Sequence, residues 1–265
     1  MEQSTFFQND NLGNYEILEQ IGAGGMGIVY KAKDKNSGNI VAIKLIQKIG
    51  TSENSLKRFY KETEVSLSLK HPNIIKIFDK GESNKMPYFV MEYVEGTTLI
   101  KYFEINKISM EKKLEILAKI AVALNYAHKK NIIHRDVKPS NIMIRKDGEP
   151  LLMDFGLAKT SQVNDKTLTR SGEVIGTPQY MAPEQAKGLK RETDQTTDIY
   201  GLGAVMYHVL CGHPPVKGDT LMEILHFVSE EKPENPSEVN PEIPKQLEEI
   251  CLKAIEKEKR KLEWK

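Results

Sequence analysis

The chain has 265 residues, enough for one large domain or two small lobes, and its 38 Lys and Arg balance 37 Asp and Glu, which speaks against nucleic acid as a partner because dedicated binders carry a basic excess. Hydrophobic residues make up 39% and charged residues 28%, a balance that suits a soluble folded protein and excludes a disordered one. No apolar run approaches the roughly 18 residues of a membrane helix, the N-terminus has no signal-peptide pattern, and Cys211 and Cys251 have neither metal nor redox spacing, so a reducing, cytoplasmic setting is expected.

Residues 1–14 read as a polar, flexible tail. From Tyr15 the pattern becomes β-rich. Tyr15–Ile21, Gly27–Asp34 and Asn39–Ile46 carry β-branched and aromatic residues and are separated by glycine clusters and Asn36-Ser37-Gly38. Residues 53–69 have helical periodicity, with Leu56, Phe59, Thr63, Ser66 and Leu67 on one face and Pro72 beyond the end. Two more strands, Ile74–Asp79 and Tyr88–Glu92, flank a turn at Gly81–Pro87. After Gly96 the character changes to helical. Glu111–Lys129 is amphipathic, Thr196–Leu210 is apolar enough to be buried, and Met222–Glu230 and Gln246–Lys257 complete the helices. Pro139, Pro150, Pro178, Pro183, Pro214 and Pro215 are read as loop residues. A lobe boundary therefore falls near Tyr93–Gly96, and the cleft of a two-lobed protein is a common ligand site.

Several segments carry chemistry. The run Ile21-Gly22-Ala23-Gly24-Gly25-Met26-Gly27-Ile28-Val29 is a glycine-rich turn followed by a strand. Glycines let backbone N–H groups approach phosphate oxygens, and a following strand argues against a dinucleotide site, whose glycines open a helix. Lys44 ends the apolar strand Val41-Ala42-Ile43-Lys44, where an inward lysine needs an anionic partner. Helix 53–69 offers Glu62 and Glu64. An octapeptide, His134-Arg135-Asp136-Val137-Lys138-Pro139-Ser140-Asn141, follows the amphipathic helix, and Asp154-Phe155-Gly156 lies eighteen residues beyond Asp136. Residues 157–177 are polar and rich in hydroxyls. A lone charge at Asp198, inside an apolar helix, is costly unless it is paired.

From Tyr15 to Arg260 these motifs resemble the eukaryotic-type (Hanks-type) Ser/Thr protein kinases, bacterial members above all. The resemblance implies an α+β, bilobal fold. Its N-lobe (15–91) is a small antiparallel β-sheet with one main helix, its hinge is 92–95, and its larger C-lobe (96–265) is mostly α-helical. It implies Asp136 as the base for the acceptor hydroxyl, Lys138 beside the transferring phosphoryl, Asn141 and Asp154 as Mg²⁺ ligands, and Lys44 paired with Glu62. It also implies a nucleotide site from Ile21, Gly22, Ala23, Gly24, Gly25, Met26, Gly27, Val29, Ala42, Lys44, Met91, Glu92, Val94 and Met143.

Structural roles follow for Arg135, which would pair with a phosphorylated loop, and for Phe155, which would pack under helix 53–69. Thr177 would bond Asp136 and Lys138, Glu184 would pair with Arg260, and Asp198 would cap the catalytic loop. Thr167, Thr169 and Ser171 are the expected phosphosites. The implied cofactors are ATP and Mg²⁺, with Mn²⁺ as a substitute. The implied partners are protein substrates and a second copy of the chain, through trans-autophosphorylation or a homodimer, with no nucleic acid and no membrane segment in this chain.

Two departures stand out. Ser66 lies four residues after Glu62, where the family often has an apolar residue, and this leads us to expect an inactive-leaning ground state. The chain also ends five residues after Arg260, so the family's final helix is expected to be missing. Two competing readings are a pseudokinase and a small-molecule kinase. The intact set Lys44, Glu62, Asp136, Asn141 and Asp154 opposes the first. The docking segment Gly176-Thr177-Pro178-Gln179-Tyr180 opposes the second.

Overall fold

Alternation of apolar and polar residues from Tyr15 onward produces strands with one face in an apolar cluster and the other turned away from it. The computed structural model describes residues 10–24, 27–47, 64, 66–83, 86–155 and 178–259. They form two compact units, the first ending at Glu95 and the second beginning at Gly96.

The first unit holds β1 (Asn11–Leu12), β2 (Tyr15–Gly24), β3 (Gly27–Asp34), β4 (Ile40–Ile46), β5 (Ile77–Ser83) and β6 (Met86–Glu92) in one antiparallel sheet ordered β1-β2-β3-β4-β6-β5. Leu12, Tyr15, Ile17, Ile28, Tyr30, Ala32, Val41, Ile43, Leu45, Tyr88 and Val90 pack into one cluster. Each fully buried side chain of this size contributes about 1.5–3 kcal/mol relative to exposure. The two-residue period then sends Val29, Lys31, Ala42, Lys44, Phe89 and Met91 to the opposite face. The register agrees, because Val29 faces Lys44, Lys31 faces Ala42, and Ala42 faces Met91. Gly27 closes the β2–β3 hairpin with φ 154°, and a side chain there would overlap the Leu45 carbonyl.

The strand expected at Ile74–Asp79 runs instead over Ile77–Ser83, and Gly81 lies within it. Gly81 is a strand residue because the Tyr88 ring packs where its Cβ would be. Ile74 is an isolated bridge residue that closes the turn at Pro72 and Asn73, its N–H donating to the His71 carbonyl at 3.1 Å. Of the helix expected over 53–69, Glu64, Ser66 and Leu67 are described and helical, and the helical backbone ends before Ser68.

The second unit comprises β7 (Gly96–Thr98), α1 (Leu99–Ile105), α2 (Met110–His128), β8 (Ile142–Arg145), β9 (Pro150–Leu152), α3 (Pro183–Ala186), α4 (Gln195–Cys211), α5 (Leu221–Glu230), α6 (Pro236–Val239) and α7 (Lys245–Ala254). Strands β7, β8 and β9 form a small antiparallel sheet. Helix α2 is capped by Ser109, whose side chain accepts from Lys112 N–H at 3.3 Å, and it buries Ile116, Leu117, Ile120, Ala123, Leu124 and Ala127 at helical spacing. Helix α4 is apolar nearly all round and is the buried centre of the unit. Asp194 caps its start, and Gly212, in the left-handed conformation at φ 79°, ends it. No helix among the described residues is long and apolar enough to cross a membrane.

Four of the prolines read as loop residues, Pro139, Pro150, Pro178 and Pro183, open short elements, with Pro178 at the start of a 3₁₀ turn over Pro178–Tyr180. Pro150 is the first residue of β9, a place where a missing N–H is tolerated. Pro139 opens a 3₁₀ turn over Pro139–Asn141, and Pro183 opens α3, where its fixed φ suits the first helical position.

Candidate active site

The octapeptide at 134–141 is shaped by bonds that arrive from three directions. From below, Asp198 on α4 is fully buried and accepts from His134 N–H at 2.8 Å and Arg135 N–H at 2.6 Å. His128, on the buried face of α2, donates from Nε2 to the same carboxylate at 2.7 Å. Three donors on one buried carboxylate explain how a charge survives inside an apolar helix. These bonds hold Arg135 at φ 68°, a left-handed conformation that costs a side-chain-bearing residue about 1–3 kcal/mol unless its surroundings impose it.

From the side, Asp136 N–H donates to His134 Nδ1 at 3.2 Å, which leaves His134 Nε2–H to donate to the Met153 carbonyl at 2.6 Å. These partners set the imidazole in its Nε2–H tautomer. Met153 N–H donates to the Asn141 carbonyl at 2.8 Å, so Asp154 is anchored beside Asn141 by both groups of the preceding residue. Asp154 itself is left-handed at φ 60°. Phe155 is buried, and its ring meets that of His134 edge-on at 4.6 Å.

Within the loop, Asp136 Oδ2 lies 2.8 Å from Lys138 Nζ and accepts from Asn141 Nδ2 at 2.9 Å. The same Nδ2 donates to the Asp136 carbonyl at 2.8 Å. With both amide hydrogens spent on Asp136, the Asn141 Oδ1 is the end of the amide left to act as an acceptor or metal ligand. Met143, in β8, is partly exposed.

In the first unit, Lys44 and Ala42 are buried on the face away from the apolar cluster, with Met91 buried alongside. Ile21 is 43% exposed, Ala23 and Gly24 are exposed, and Gly22 lies opposite Val29, with 3.8 Å between a Cβ placed on the glycine and the valine Cβ. Glu92 N–H donates to the Lys76 carbonyl at 2.9 Å, and Val94 follows β6. Lys31 shares the face of Val29 and Ala42. Its Nζ is 4.8 Å from the Tyr93 ring centre and 3.3 Å from Glu19 Oε1, and the Glu19 bond raises its pKa. Glu64 pairs with Lys80 at 2.6 Å. Ser66 is buried. Gly25, Met26, Glu62, Gly156, Thr167, Thr169, Ser171, Thr177 and Arg260 lie outside the described residues, and so does the Lys44–Glu62 pair on which the inactive-leaning expectation turns.

Sequence reasoning missed several partners of the residues it named. Glu184 is buried in α3, accepts from the Thr197 hydroxyl, and lies 3.3 Å from Lys259 Nζ. Its described cation is thus Lys259, one position before the expected Arg260, and Lys259 also meets Asp194 at 3.2 Å. Tyr180 bonds His208 Nδ1 through its hydroxyl at 2.5 Å. Burial pushes the Tyr180 pKa up to about 12 and lowers that of His208. His128 had a partial sequence signal, since helical spacing aligns it with Leu117 and Leu124, and all three are buried. Lys259 and Gln185 had none.

Two glycines on α4 separate the site from its scaffold. A methyl on Gly201 would lie 2.9 Å from Val137 Cβ and 3.0 Å from the Val137 carbonyl oxygen, inside the octapeptide. A methyl on Gly203 would lie 2.6 Å from Ala254 Cβ and 2.9 Å from Ile255 Cγ2, on and just after α7. Both alanine variants are expected to lose about 1–3 kcal/mol by overpacking. Only Gly201→Ala should speed hydrogen exchange at the amides of residues 134–141. Equal exchange there in both variants would show that Val137 does not transmit the strain.

A carboxylate held beside a lysine and an amide, with the backbone just before a second acidic residue, Asp154, bonded to the main chain of that asparagine, is an arrangement suited to handling phosphate and metal. The model of the protein kinase domain family matches residues 15–261, and the chain belongs to that family. The sequence is 38% identical over 252 residues to a probable serine/threonine-protein kinase of Streptomyces coelicolor, covering 93% of this chain and 37% of that protein. It is 39% identical over 249 residues to the serine/threonine-protein kinase PrkC of Bacillus subtilis, covering 93% and 38%. Against PknB of Mycolicibacterium smegmatis the figures are 37% over 249 residues, covering 92% and 40%. The chain thus spans 37–40% of the length of these curated relatives. Among solved structures, the PknI kinase domain of Mycobacterium tuberculosis superposes with a TM-score of 0.76 at 25% identity, covering 97% of this chain and 94% of that one. The fold is accordingly the α+β, two-lobed kinase fold.

Proposed function

We propose that this chain is the catalytic domain of a serine/threonine protein kinase that transfers the γ-phosphate of ATP to Ser and Thr hydroxyls of proteins. The observation that carries the reading is the Asp136 carboxylate held at 2.8 Å from Lys138 and 2.9 Å from Asn141. Asp136 accepts the proton of the acceptor hydroxyl, and Lys138 stabilises charge on the transferring group. Transfer of this kind needs positioning and charge stabilisation more than covalent chemistry from the protein.

The nucleotide is assigned to the face of the first-unit sheet that carries Val29, Ala42, Lys44 and Met91, with Ile21, Gly22, Ala23, Gly24, Gly25, Met26 and Gly27 over its phosphates. The backbone of Glu92 and Val94 is assigned to adenine and Lys44, paired with Glu62, to the α- and β-phosphates, with Met143 of the second unit as the further adenine contact that the family resemblance implies. The residues present fit a divalent cation. The hydrogen bonds of Asn141 turn its neutral oxygen away from Asp136, and Asp154 is anchored next to it. Hard cations such as Mg²⁺ favour one or two such oxygens plus phosphate. Bound Mg²⁺, or Mn²⁺ in its place, would neutralise phosphate charge.

Thr169, Ser171 and Thr167 are assigned as autophosphorylation sites, with Arg135 as the partner of the added phosphate and Thr177 as a ligand of Asp136 and Lys138. A second copy of the chain is the natural donor in trans. The domain is placed in the cytoplasm, where ATP and the free thiols of Cys211 and Cys251 are at home.

The test is incubation with Mg²⁺ and γ-labelled ATP, with and without a generic protein substrate, followed by phosphoamino-acid analysis. Label on Ser or Thr is expected, with self-labelling that rises more than linearly with enzyme concentration. Nucleotide binding without any label would support a binding-only domain. Label on small molecules alone would support a small-molecule kinase.

A further inference from the structure

Gln185 follows Glu184 in α3, and its amide joins two parts of the second unit. Its Oε1 accepts from Ala182 N–H at 3.0 Å and closes the first turn of α3. Its Nε2 donates to the Arg135 carbonyl at 2.8 Å. That carbonyl belongs to the same peptide group as the Asp136 N–H, which donates to His134 Nδ1 at the longer distance of 3.2 Å. The peptide is therefore held at both ends, and the Gln185 bond is the shorter. Its orientation matters because Arg135 is left-handed at φ 68°. A strained residue of this kind keeps its conformation only while its surroundings impose it. Asp198 secures the Arg135 N–H, but a rotation of the following peptide leaves that bond intact while turning Asp136.

We propose that Gln185 is a positioning residue for Asp136, fixing the Arg135–Asp136 peptide through the Nε2–H to carbonyl bond and making the placement of the base depend on α3. This rests on the kinase reading above. Helix α3 comes soon after residues 156–177, which carry the assigned phosphosites, so Gln185 gives that segment a route to the base.

Two variants separate the hydrogen bond from packing. Gln185→Glu keeps the shape and an oxygen for Ala182 N–H, but its carboxylate cannot donate to the Arg135 carbonyl. Gln185→Met keeps the length and can donate at no pH. At pH 8 both are expected to lose about tenfold in kcat, the worth of one well-placed hydrogen bond, with KM for ATP within about twofold of wild type. Relative to wild type, Gln185→Glu should recover as pH falls towards 5, because the protonated carboxyl donates again. Gln185→Met should not recover. Hydrogen exchange at the Asp136 amide, measured in parallel, should quicken in both at pH 8. Wild-type kcat in both variants, or equal deficits at every pH, would overturn the proposal. If wild type transfers no phosphate, the kinase reading fails. The exchange arm then decides the peptide clamp alone, and unchanged exchange refutes it.

Discussion

Replacing Asp136 with asparagine is expected to slow phosphoryl transfer about 10²–10⁴-fold, the usual worth of a positioned general base. The substitution is nearly isosteric. An asparagine oxygen in the Oδ2 position still accepts from Asn141 Nδ2 and still faces Lys138, which are 2.9 and 2.8 Å from that atom in the native site. What it loses is the second carboxylate oxygen, replaced by an NH₂ that cannot take a proton. The Asp136 and Lys138 side chains are 26% and 14% exposed, so their pairing is partly screened and contributes at most about 1 kcal/mol to the fold. The melting temperature should therefore stay within about 4 °C of wild type. Initial rates on a Ser/Thr peptide beside a thermal melt provide the check. A variant that keeps more than a tenth of the wild-type rate would mean that Asp136 orients the acceptor without taking its proton.

The parts of this site that were legible in the sequence are those whose chemistry is local. Lys44 stood out as a lone charge ending the apolar strand Val41-Ala42-Ile43-Lys44, although only the register of the sheet puts Val29 and Ala42 on its face. A single charge in the apolar run of α4 announced Asp198. Legibility ended where a role depends on residues distant in sequence. Gly81 looks like a turn until the Tyr88 ring is seen to occupy its Cβ position. Lys259 carries no signal of its own in the sequence, and only the path of the chain after α7 brings it to Glu184. Gln185 is an ordinary helix residue until the Arg135 carbonyl is placed against it. The left-handed backbone at Arg135 and Asp154 has no sequence signature at all, because neither residue is glycine. Tertiary bonds impose it, and it falls in the two motifs that carry the chemistry.

Those tertiary bonds make Asp198 the position where loss should be greatest for fold and function together. Asp198→Ala removes a fully buried carboxylate and strands His134 N–H, Arg135 N–H and His128 Nε2–H, which it binds at 2.8, 2.6 and 2.7 Å. Each buried donor left without a partner costs about 1–3 kcal/mol, so a total of about 4 kcal/mol is expected after relaxation. In a domain of this size that lowers the melting temperature by roughly 8–16 °C. Asp198→Asn is the sharper probe. Its oxygen can satisfy one backbone donor, but its NH₂ must face another, so about half the loss should remain. His128→Ala removes one donor without stranding the backbone pair, and its effect should not add to that of Asp198→Ala, because the two share one network. Activity should fall further than stability in both Asp198 variants. Molecules that stay folded no longer have the force that keeps Arg135 at φ 68°, and relaxation of that residue turns the Arg135–Asp136 peptide and moves the base. If Asp198→Asn melts like wild type and keeps its kcat, the left-handed geometry is held by Gln185 and His134 alone, and the carboxylate under the loop is a packing group.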